Sequence, residues 1–307
     1  MKIFVAYNAR AGKHAKEDPL PAIEEALRAS GREHEMVRIE RGSDVARAAA
    51  EAAQRAAGCN GVLAAAGGDG TMNAVAHAAW QAGCAFGAIP LGTFNYFARS
   101  HGLPLEPGAA AAALAAGVER PIQVGLLNDR LFLVNASLGF YPQLLEDREA
   151  FKAQYGRTRW VAMLAALWTL FTRTQPKLVL RIAAGEEARA VRVSTLFVGN
   201  NPLQLARLGL PEAQAVEEGK LAAIRVRPAT LWRLVDILLH GAVGRLGAAE
   251  GVEAFSFREL EVAALRPRRR PVNVKVAADG ERLRLPLPLV FRVAPRPLRL
   301  VAPRPAP

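Results

Sequence analysis

The residues best suited to chemistry in this 307-residue sequence begin directly after short apolar runs. The segment Gly67-Gly68-Asp69-Gly70-Thr71 follows the run Val62–Ala66. Glycines let a backbone approach a ligand closely, and free N–H groups at the start of a helix bind anions. Asp69 would repel a phosphate unless Mg²⁺ or a hydroxyl proton lies between them, and Thr71 can donate to a phosphate oxygen. The pattern favours a phosphate site, with a tight turn capped by Asp69 as the alternative.

A second segment of the same kind, Gly92 to Arg99, follows the apolar run Ala85–Leu91. Thr93 offers a hydroxyl and Asn95 an amide to a phosphate or a ribose. Arg99 brings a cation about one helical turn later. The alternative here is an ordinary strand-to-helix turn.

A third segment, Asn8 to Lys13, follows the first apolar run. It lacks the leading glycine and the Lys-Ser/Thr pair of a Walker A loop. It still places Asn8, Arg10 and Lys13 at the end of a predicted strand. A nucleotide contact and a basic surface loop both remain open from these residues alone.

A fourth segment, Asp279-Gly280-Glu281, contains two carboxylates on either side of a glycine. Such a pair can supply a general base. It also suits a plain hairpin turn, and without further evidence the turn is the favoured interpretation.

Several other kinds of site are disfavoured by residue types and spacing. Cys59 and Cys84 are too few for a disulfide framework or a four-thiolate zinc site. The five histidines show no metal-binding spacing. Ser137 lacks the Gly-x-Ser-x-Gly elbow of a serine hydrolase.

The elements that must position these segments differ between the two parts of the chain. Up to about residue 125, short apolar runs alternate with helical patterns, which predicts a parallel sheet covered on both faces. Beyond it, alternating runs predict antiparallel strands, among them 130–137 and 189–198, with helices at about 155–172 and 229–243. The proline-rich tail, 294–307, is predicted to be an extended or disordered arm.

The formal net charge of +12 is carried by the second part of the chain. Residues 1–150 hold 14 basic and 16 acidic residues, whereas 151–250 hold 14 and 7, and 251–307 hold 12 and 5. Such a field attracts nucleic acid, an anionic membrane or acidic substrates, although a GC-rich genome would also produce an arginine-rich surface. With only 7% aromatic residues, a nucleic-acid surface is disfavoured.

The longest apolar stretch, Trp160 to Phe171, is too short to span a bilayer. Its Trp and Leu residues share a helical face between arginines, which suits either a helix lying on a membrane or a core helix. The segment Leu231-Trp232-Arg233 has the same two interpretations. The N-terminal apolar run stops at Asn8, so we expect no signal peptide.

Taken together, these motifs resemble the diacylglycerol kinase catalytic family, and more closely its bacterial lipid kinases. The resemblance covers nearly the whole chain and implies an α/β N-terminal domain with a parallel sheet, like that of phosphofructokinases and NAD kinases. It also implies a mostly antiparallel C-terminal β-sandwich. We place the domains at 1–125 and 126–307, with the C-terminal end free to pack back on the first. The matching motifs are Gly67 to Thr71, Pro90 to Arg99, Asn135 to Gly139 and Asp279 to Glu281.

The resemblance also implies roles for individual residues, with ATP and Mg²⁺ as cofactors. Glu281 would be the general base, with Asp279 beside it and Asp69 acting with the metal. A structural Mg²⁺ loop would fall on Glu218 to Leu221, with Glu218 and Lys220 as its candidate residues. The nucleotide would be held by Asn8, Arg10, Gly12, Gly67, Gly68, Asp69, Gly70, Thr71, Asn73, Thr93 and Asn95.

Four positions depart from the family pattern. Ala74, His77 and Tyr96 stand where Glu, Asn and Asp are common, and Glu218 replaces an Asp, which adds a methylene to a tight metal loop.

We therefore expect a cytoplasmic, peripherally membrane-associated kinase that phosphorylates a hydroxyl of a diacylglycerol-like or sphingoid lipid. Its expected partners are the lipid substrate and an anionic membrane surface, with no nucleic acid, and a homodimer remains open. The alternatives are an NAD kinase-like enzyme, which shares the Gly-Gly-Asp-Gly-Thr loop, and a non-catalytic lipid- or nucleotide-binding regulator on the same fold.

Overall fold

The chain folds as two units in the computed structural model. The first contains Met1–Val124 and Ala294–Pro307, and the second contains Gly125–Val293. The structure describes residues 1–10, 18–92, 94–139, 178–184, 187–265 and 272–304.

The described part of the first unit is an alternation of strands and helices, as the sequence predicts. Its helices are α1 Leu20–Ala29, α2 Val45–Gly58, α3 Asp69–Ala82, α4 Tyr96–Ser100 and α5 Pro107–Ala116. Its strands are β1 Ile3–Asn8, β2 His34–Ile39, β3 Val62–Gly67, β4 Ala85–Pro90, β5 Val118–Ile122 and β18 Leu298–Ala302.

The strands of the first unit form one sheet in the order β2-β1-β3-β4-β18-β5. Strands β1 to β4 are parallel, and every residue of β3 and β4 is buried. Their unbroken apolar sequences are therefore explained by coverage on both faces of the sheet. The parallel α/β prediction is confirmed. Because β1, β3 and β4 run the same way, the segments that follow them leave at one edge of the sheet.

The proline-rich tail is more ordered than predicted. Residues Leu298–Ala302 form β18, which inserts between β4 and β5, parallel to the former and antiparallel to the latter. Leu298, Leu300, Val301 and Ala302 are buried there. The prolines on either side lie outside the strand, so all five residues of β18 keep their N–H groups for the sheet.

The second unit is built mainly from strands in its described residues. Its helices are α6 Pro202–Arg207, α7 Ala213–Glu217 and α8 Leu231–Ala242. Its strands are β6 Gly125–Leu127, β7 Arg130–Phe132, β8 Asn135–Gly139, β9 Leu178–Ala184, β10 Glu187–Val193, β11 Thr195–Gly199, β12 Leu221–Val226, β13 Val252–Phe257, β14 Glu259–Ala264, β15 Asn273–Ala278, β16 Glu281–Pro286 and β17 Leu289–Val293.

These strands form two antiparallel sheets, ordered β10-β9-β14-β17-β6-β7 and β13-β12-β11-β8-β15-β16. One buried apolar cluster draws on both sheets, with Phe132 and Phe291 from the first and Leu138 and Val276 from the second. Two sheets that share a core in this way form a β-sandwich, which confirms the predicted fold class.

Two predicted strands are each divided between the two sheets. The run 130–137 becomes β7 and β8, and the run 189–198 becomes β10 and β11. At the second break, the backbone N–H and the hydroxyl of Ser194 both donate to the carbonyl of Val226. Buried apolar residues occur on both sides of each break, such as Phe132 and Leu138, because both halves pack on the shared core. The sequence therefore gives no sign of the change of sheet.

The predicted helix at 229–243 is α8, whereas the one at 155–172 lies outside the described residues. Among the described helices, none combines the length and the apolar character needed to cross a membrane.

We expect the stability of the first unit to depend on pH through His101, which follows α4. Its ring packs against Phe97 with ring centroids 4.6 Å apart. Burial, followed by the positive charge of Arg120, lowers the pKa of His101 to about 4. An unfolded histidine titrates near pH 6.5, so the folded state resists protonation between these values. The stabilising contribution is full above about pH 6.5 and is lost as the pH falls towards 4, a change of about 3 kcal/mol.

Urea titrations at pH 7.5 and pH 4 measure this effect as a difference between two proteins. The wild type should lose about 3 kcal/mol more unfolding free energy over this interval than His101→Gln. Equal losses in the two proteins would show that His101 does not contribute.

Candidate active site

The loops after β3 and β4 are joined directly through their backbones. The N–H of Leu91 donates to the carbonyl of Gly67 at 2.9 Å. A Cβ atom at Gly92 would lie only 3.2 Å from the Cα of Gly68 and 2.9 Å from Oδ1 of Asn95. Side chains at this contact would force the loops apart, so glycine is required for the approach.

Thr71 lies at the centre of the first loop and contacts two of the other predicted site residues. A Cβ atom at Gly67 would be 2.6 Å from the Thr71 Cβ. The Thr71 hydroxyl accepts a hydrogen bond of 2.8 Å from Nδ2 of Asn8, at the end of β1. Asn8 Oδ1 in turn accepts from the N–H of Arg10 at 3.0 Å. Thr71 thus accepts from Asn8 while its own hydroxyl proton is available to a ligand oxygen.

Helix α3 begins inside this loop, with Gly68 as its N-cap residue and no side-chain capping bond. The N–H of Met72 bonds to the Gly68 carbonyl at 2.9 Å, which closes the first turn. The preceding amides, those of Asp69 to Thr71, belong to the first turn of α3 and lie at its positive end. Asp69 is half-buried and Asn73 is buried. This arrangement suits a bound phosphate.

Asn95 shapes the second loop from within. Its backbone is left-handed, with φ +49°, a conformation that asparagine tolerates better than most residues. Its side-chain Nδ2 donates to the Gly92 carbonyl at 2.9 Å. Its contacts thus hold the glycine turn in place. Thr93, between them, lies outside the described residues, as does Gly12, whereas Arg10 is exposed.

A buried tyrosine fixes the two ends of the segment that follows β1. The Tyr7 hydroxyl donates to Oδ1 of Asp18 at 2.8 Å. Burial, followed by this hydrogen bond, raises the pKa of Tyr7 to about 12. The pKa of Asp18 is lowered because the Leu20 amide and the Tyr7 hydroxyl both donate to its carboxylate. The motif containing Asn8 and Arg10 therefore starts from a rigid strand end.

In the second unit, the Asp279 carboxylate binds three backbone amides at the corner between β7 and β8. Its Oδ2 accepts from the N–H of Leu133 at 2.6 Å, and its Oδ1 accepts from Val134 and Asn135 at 2.9 Å each. Its own N–H donates to the Asn135 carbonyl at 2.9 Å. Asp279 is buried and both of its carboxylate oxygens are engaged. This geometry favours an anchoring role over proton transfer.

Glu281 is presented by the hairpin that Asp279 anchors. Asp279 and Gly280 are the two turn residues, with φ +45° and φ +85°, and Ala278 pairs with Glu281 across the turn. Two positive φ values and an Asp-Gly sequence are typical of a tight hairpin turn. Glu281 itself is exposed. The structure thus contains the predicted turn, and that turn holds the candidate base at the edge of its sheet.

Sequence reasoning missed the polar residues that complete this corner. Buried Asn200 donates from Nδ2 to the Leu133 carbonyl at 3.0 Å, and Nδ2 of Asn135 donates to Oε1 of Gln204 at 3.2 Å. Asn201 caps α6 by accepting from the N–H of Gln204. The adjacent asparagines followed by Pro202 are a helix-start signal that could have indicated this role.

The predicted metal loop lies on the same sheet as Glu281, but on a distant strand. Glu218 and Lys220 precede β12, which is separated from β16 by three strands, or about 19 Å. Glu218 is exposed and its Oε2 lies 3.4 Å from the Lys220 ammonium. A lysine at this distance opposes a cation, and the described residues contain no cluster of three or more His, Cys, Asp or Glu side chains. The magnesium loop at Glu218 and Lys220 therefore stays a prediction.

The joined glycine loops lie at the carboxyl edge of the parallel sheet in an α/β domain. Residues 2–127 match the diacylglycerol kinase catalytic domain model. A "Probable lipid kinase YegS-like" from Pseudomonas aeruginosa (strain UCBPP-PA14) is 42% identical over 131 residues, covering 42% of each chain. A diacylglycerol kinase from Bacillus subtilis (strain 168) is 34% identical over 146 residues, covering 47% of each chain. The alignments thus span less than half the length of these relatives.

The likeness in fold extends further along the chain than the likeness in sequence. A crystal structure of a diacylglycerol kinase from Bacillus anthracis str. Sterne matches with a TM-score of 0.69 at 16% identity, covering 99% of this chain and 97% of that one. This chain thus shares the fold of that solved structure over nearly its whole length.

Proposed function

We propose that this protein is an ATP-dependent lipid kinase that phosphorylates a hydroxyl of a diacylglycerol-like or sphingoid lipid. The observation that carries the proposal is the backbone contact between the Gly67 and Gly92 loops at the start of α3. The match of residues 2–127 to the diacylglycerol kinase catalytic domain model supports the same activity.

The first unit supplies the site for the phosphoryl donor. Phosphoryl transfer requires mainly that the phosphates be positioned and their charge neutralised. The amides of Asp69 to Thr71 point out of the first turn of α3, and the Thr71 hydroxyl is oriented by Asn8. Together they form the cradle that binds phosphate oxygens in this proposal.

The carboxylate available in this loop fits a metal ion that binds together with the nucleotide. Mg²⁺ is commonly held by one or two carboxylates together with substrate phosphates and water, and Asp69 is the half-buried carboxylate in the loop. When bound, Mg²⁺ supplies charge neutralisation between the phosphates and this carboxylate. The Glu218 loop has no part in this proposal.

The second unit supplies the group that receives the proton. The lipid hydroxyl oxygen forms a bond to the γ-phosphorus, the bond from that phosphorus to ADP breaks, and the hydroxyl proton passes to the Glu281 carboxylate. Asp279 positions Glu281 because its carboxylate fixes the hairpin turn to the corner at Leu133 to Asn135. Positioned general bases contribute about 10²–10⁴-fold to rate.

Because the acceptor lies in a bilayer, the proposal includes association with an anionic membrane surface on the cytoplasmic side. The excess of basic residues in the second part of the chain supports it.

The test is phosphate transfer from labelled ATP to a panel of lipids in mixed micelles. The panel contains diacylglycerol, monoacylglycerol, sphingosine, ceramide and phosphatidylglycerol, with NAD as a soluble control. We expect one lipid to be labelled by the wild type and none by Asp69→Ala. Labelling of NAD alone would replace the proposal with the NAD kinase alternative. Bound ATP with no labelled acceptor would indicate a regulator.

Glu281→Gln should reduce turnover by about 10²-fold or more while leaving ATP affinity within about twofold of the wild type. The amide keeps the shape of the side chain but cannot take up the proton. The matched control is Glu259→Gln, which changes another exposed glutamate of the same unit, at the start of β14. Initial rates and calorimetric ATP binding measure the two quantities. Equal turnover in the two variants would remove Glu281 from the mechanism.

A further inference from the structure

Three of the six large hydrophobic side chains that are exposed among the described residues lie on one helix and its final turn. Trp232 is 80% exposed, Leu239 60% and Val243 69%. These residues are seven and eleven positions apart, close to two and three full turns of an α-helix. They therefore form a single outward stripe along α8, which we call the α8 stripe.

The opposite face of α8 already has its packing partners. Leu234 and Ile237 are buried with Ala249 in a small apolar cluster. The Leu246 amide also bonds to the Leu208 carbonyl at 2.9 Å, which fastens the turn after α8 to the end of α6. The helix is thus held in place from one side, and the exposure of the α8 stripe does not arise from a loosely attached helix.

The charges around the α8 stripe favour a negatively charged partner. Arg245 is exposed at one end, and the backbone of exposed Arg207 lies against Gly244 beside it. Arg233 pairs with Glu250 at 2.6 Å at the other end. Further back, Arg225 and Arg227 share Glu253. Counting Asp236, five arginines and three carboxylates surround the stripe, so its surroundings are positive.

One carboxylate lies within the stripe itself. Asp236 is one helical turn after Trp232, and its Oδ1 lies 3.1 Å from Nδ1 of His240. A carboxylate at this position opposes an anionic surface, so its removal should strengthen the attraction.

We propose that the α8 stripe is the membrane-docking surface of this protein, lying in the headgroup region of an anionic bilayer with Trp232 inserted and the arginines contacting phosphates. A tryptophan on an amphipathic helix flanked by cations is the pattern of a helix that lies in this interface. The choice of a bilayer as the occupant rests on the proposed function, since a lipid kinase must reach its acceptor at a membrane.

The experiment is sedimentation of the full chain with vesicles of phosphatidylcholine containing either no or 30% phosphatidylglycerol, in low and high salt. We expect the double variant Trp232→Ser/Leu239→Ser to lower the partition coefficient on anionic vesicles about tenfold or more. Arg245→Glu should lower it about fivefold or more on anionic vesicles only. Asp236→Asn should raise it. Leu265→Ser, which alters another exposed leucine of the same unit, is the matched control and should bind like the wild type.

Two results would overturn the proposal. One is equal vesicle binding by the wild type and the double variant. The other is a wild-type dimer without vesicles that the double variant abolishes, because the stripe would then be an interface between two copies. Transfer to a water-soluble short-chain diacylglycerol separates this proposal from the kinase proposal. The double variant should phosphorylate this short-chain lipid at the wild-type rate. If the wild type itself does not phosphorylate it, the kinase proposal is contradicted, whereas the vesicle-binding result still stands.

Discussion

Replacing Asp279 with alanine should lower the free energy of unfolding of the second unit by about 3–6 kcal/mol at neutral pH. The reason is that the amides of Leu133, Val134 and Asn135 would lose their acceptor in a buried corner. Each unsatisfied buried amide costs about 1–3 kcal/mol, and alanine at φ +45° adds strain. The rate of phosphoryl transfer should also decrease, because the hairpin that presents Glu281 loses its anchor.

The measurements are urea unfolding and amide hydrogen exchange at the three amides. Asp279→Asn keeps one oxygen acceptor and tolerates the left-handed backbone. Its free energy of unfolding should therefore decrease by about half as much as that of Asp279→Ala. The matched control is Asp129→Ala, since Asp129 also lies in a hairpin turn but is almost fully exposed. Unchanged exchange rates at Leu133, Val134 and Asn135 in Asp279→Ala would show that these hydrogen bonds do not hold the corner.

The second large effect is expected from Gly67→Ala, which should reduce phosphoryl transfer by about 10²-fold or more. The new Cβ atom would lie 2.6 Å from the Cβ and 2.8 Å from the hydroxyl oxygen of Thr71. Thr71 would have to move, and its hydrogen bond from Asn8 would be lost. The first turn of α3 would then no longer meet the phosphates in the required geometry.

Calorimetric ATP binding and initial rates test this result, with two alanine variants for comparison. A Cβ atom at Gly58, at the end of α2, meets nothing within 4 Å, so Gly58→Ala should transfer phosphate at the wild-type rate. A Cβ atom at Gly70 also has no protein atom within 4 Å, so a loss of ATP affinity in Gly70→Ala would indicate that this position contacts the nucleotide. ATP affinity of Gly67→Ala equal to that of the wild type would contradict the proposed cradle.

Patterns within a few consecutive residues predicted much of the first unit. Strands β3 and β4 are continuous apolar runs because both faces of each strand are covered, and the glycines that follow mark the turn into α3 and the loop before α4. The predicted contact of Gly67 to Thr71 with a nucleotide stays a prediction. What the structure adds is that the Leu91 amide joins the two loops and that Asn95 holds the second loop from within.

The second unit was harder to predict because its organisation depends on contacts between distant residues. The runs 130–137 and 189–198 are each predicted as one strand, although each is divided between two sheets. The corner at the first break is stabilised by Asp279, about 145 residues further along the chain. An alternating pattern reports which side chains face a core, but not which sheet on either side of that core a strand joins.

The sequence by itself therefore determined the fold class, the edge of the parallel sheet where the glycine loops emerge, and the hairpin turn that carries Glu281. Apolar runs, glycines and an Asp-Gly pair act through the local backbone, so they can be recognised without distant contacts. The tertiary structure alone decided that β18 completes the first sheet, that Asp279 binds the β7–β8 corner, and that Trp232, Leu239 and Val243 stay exposed. Each of these depends on which distant segments pack together, and no local pattern encodes that choice.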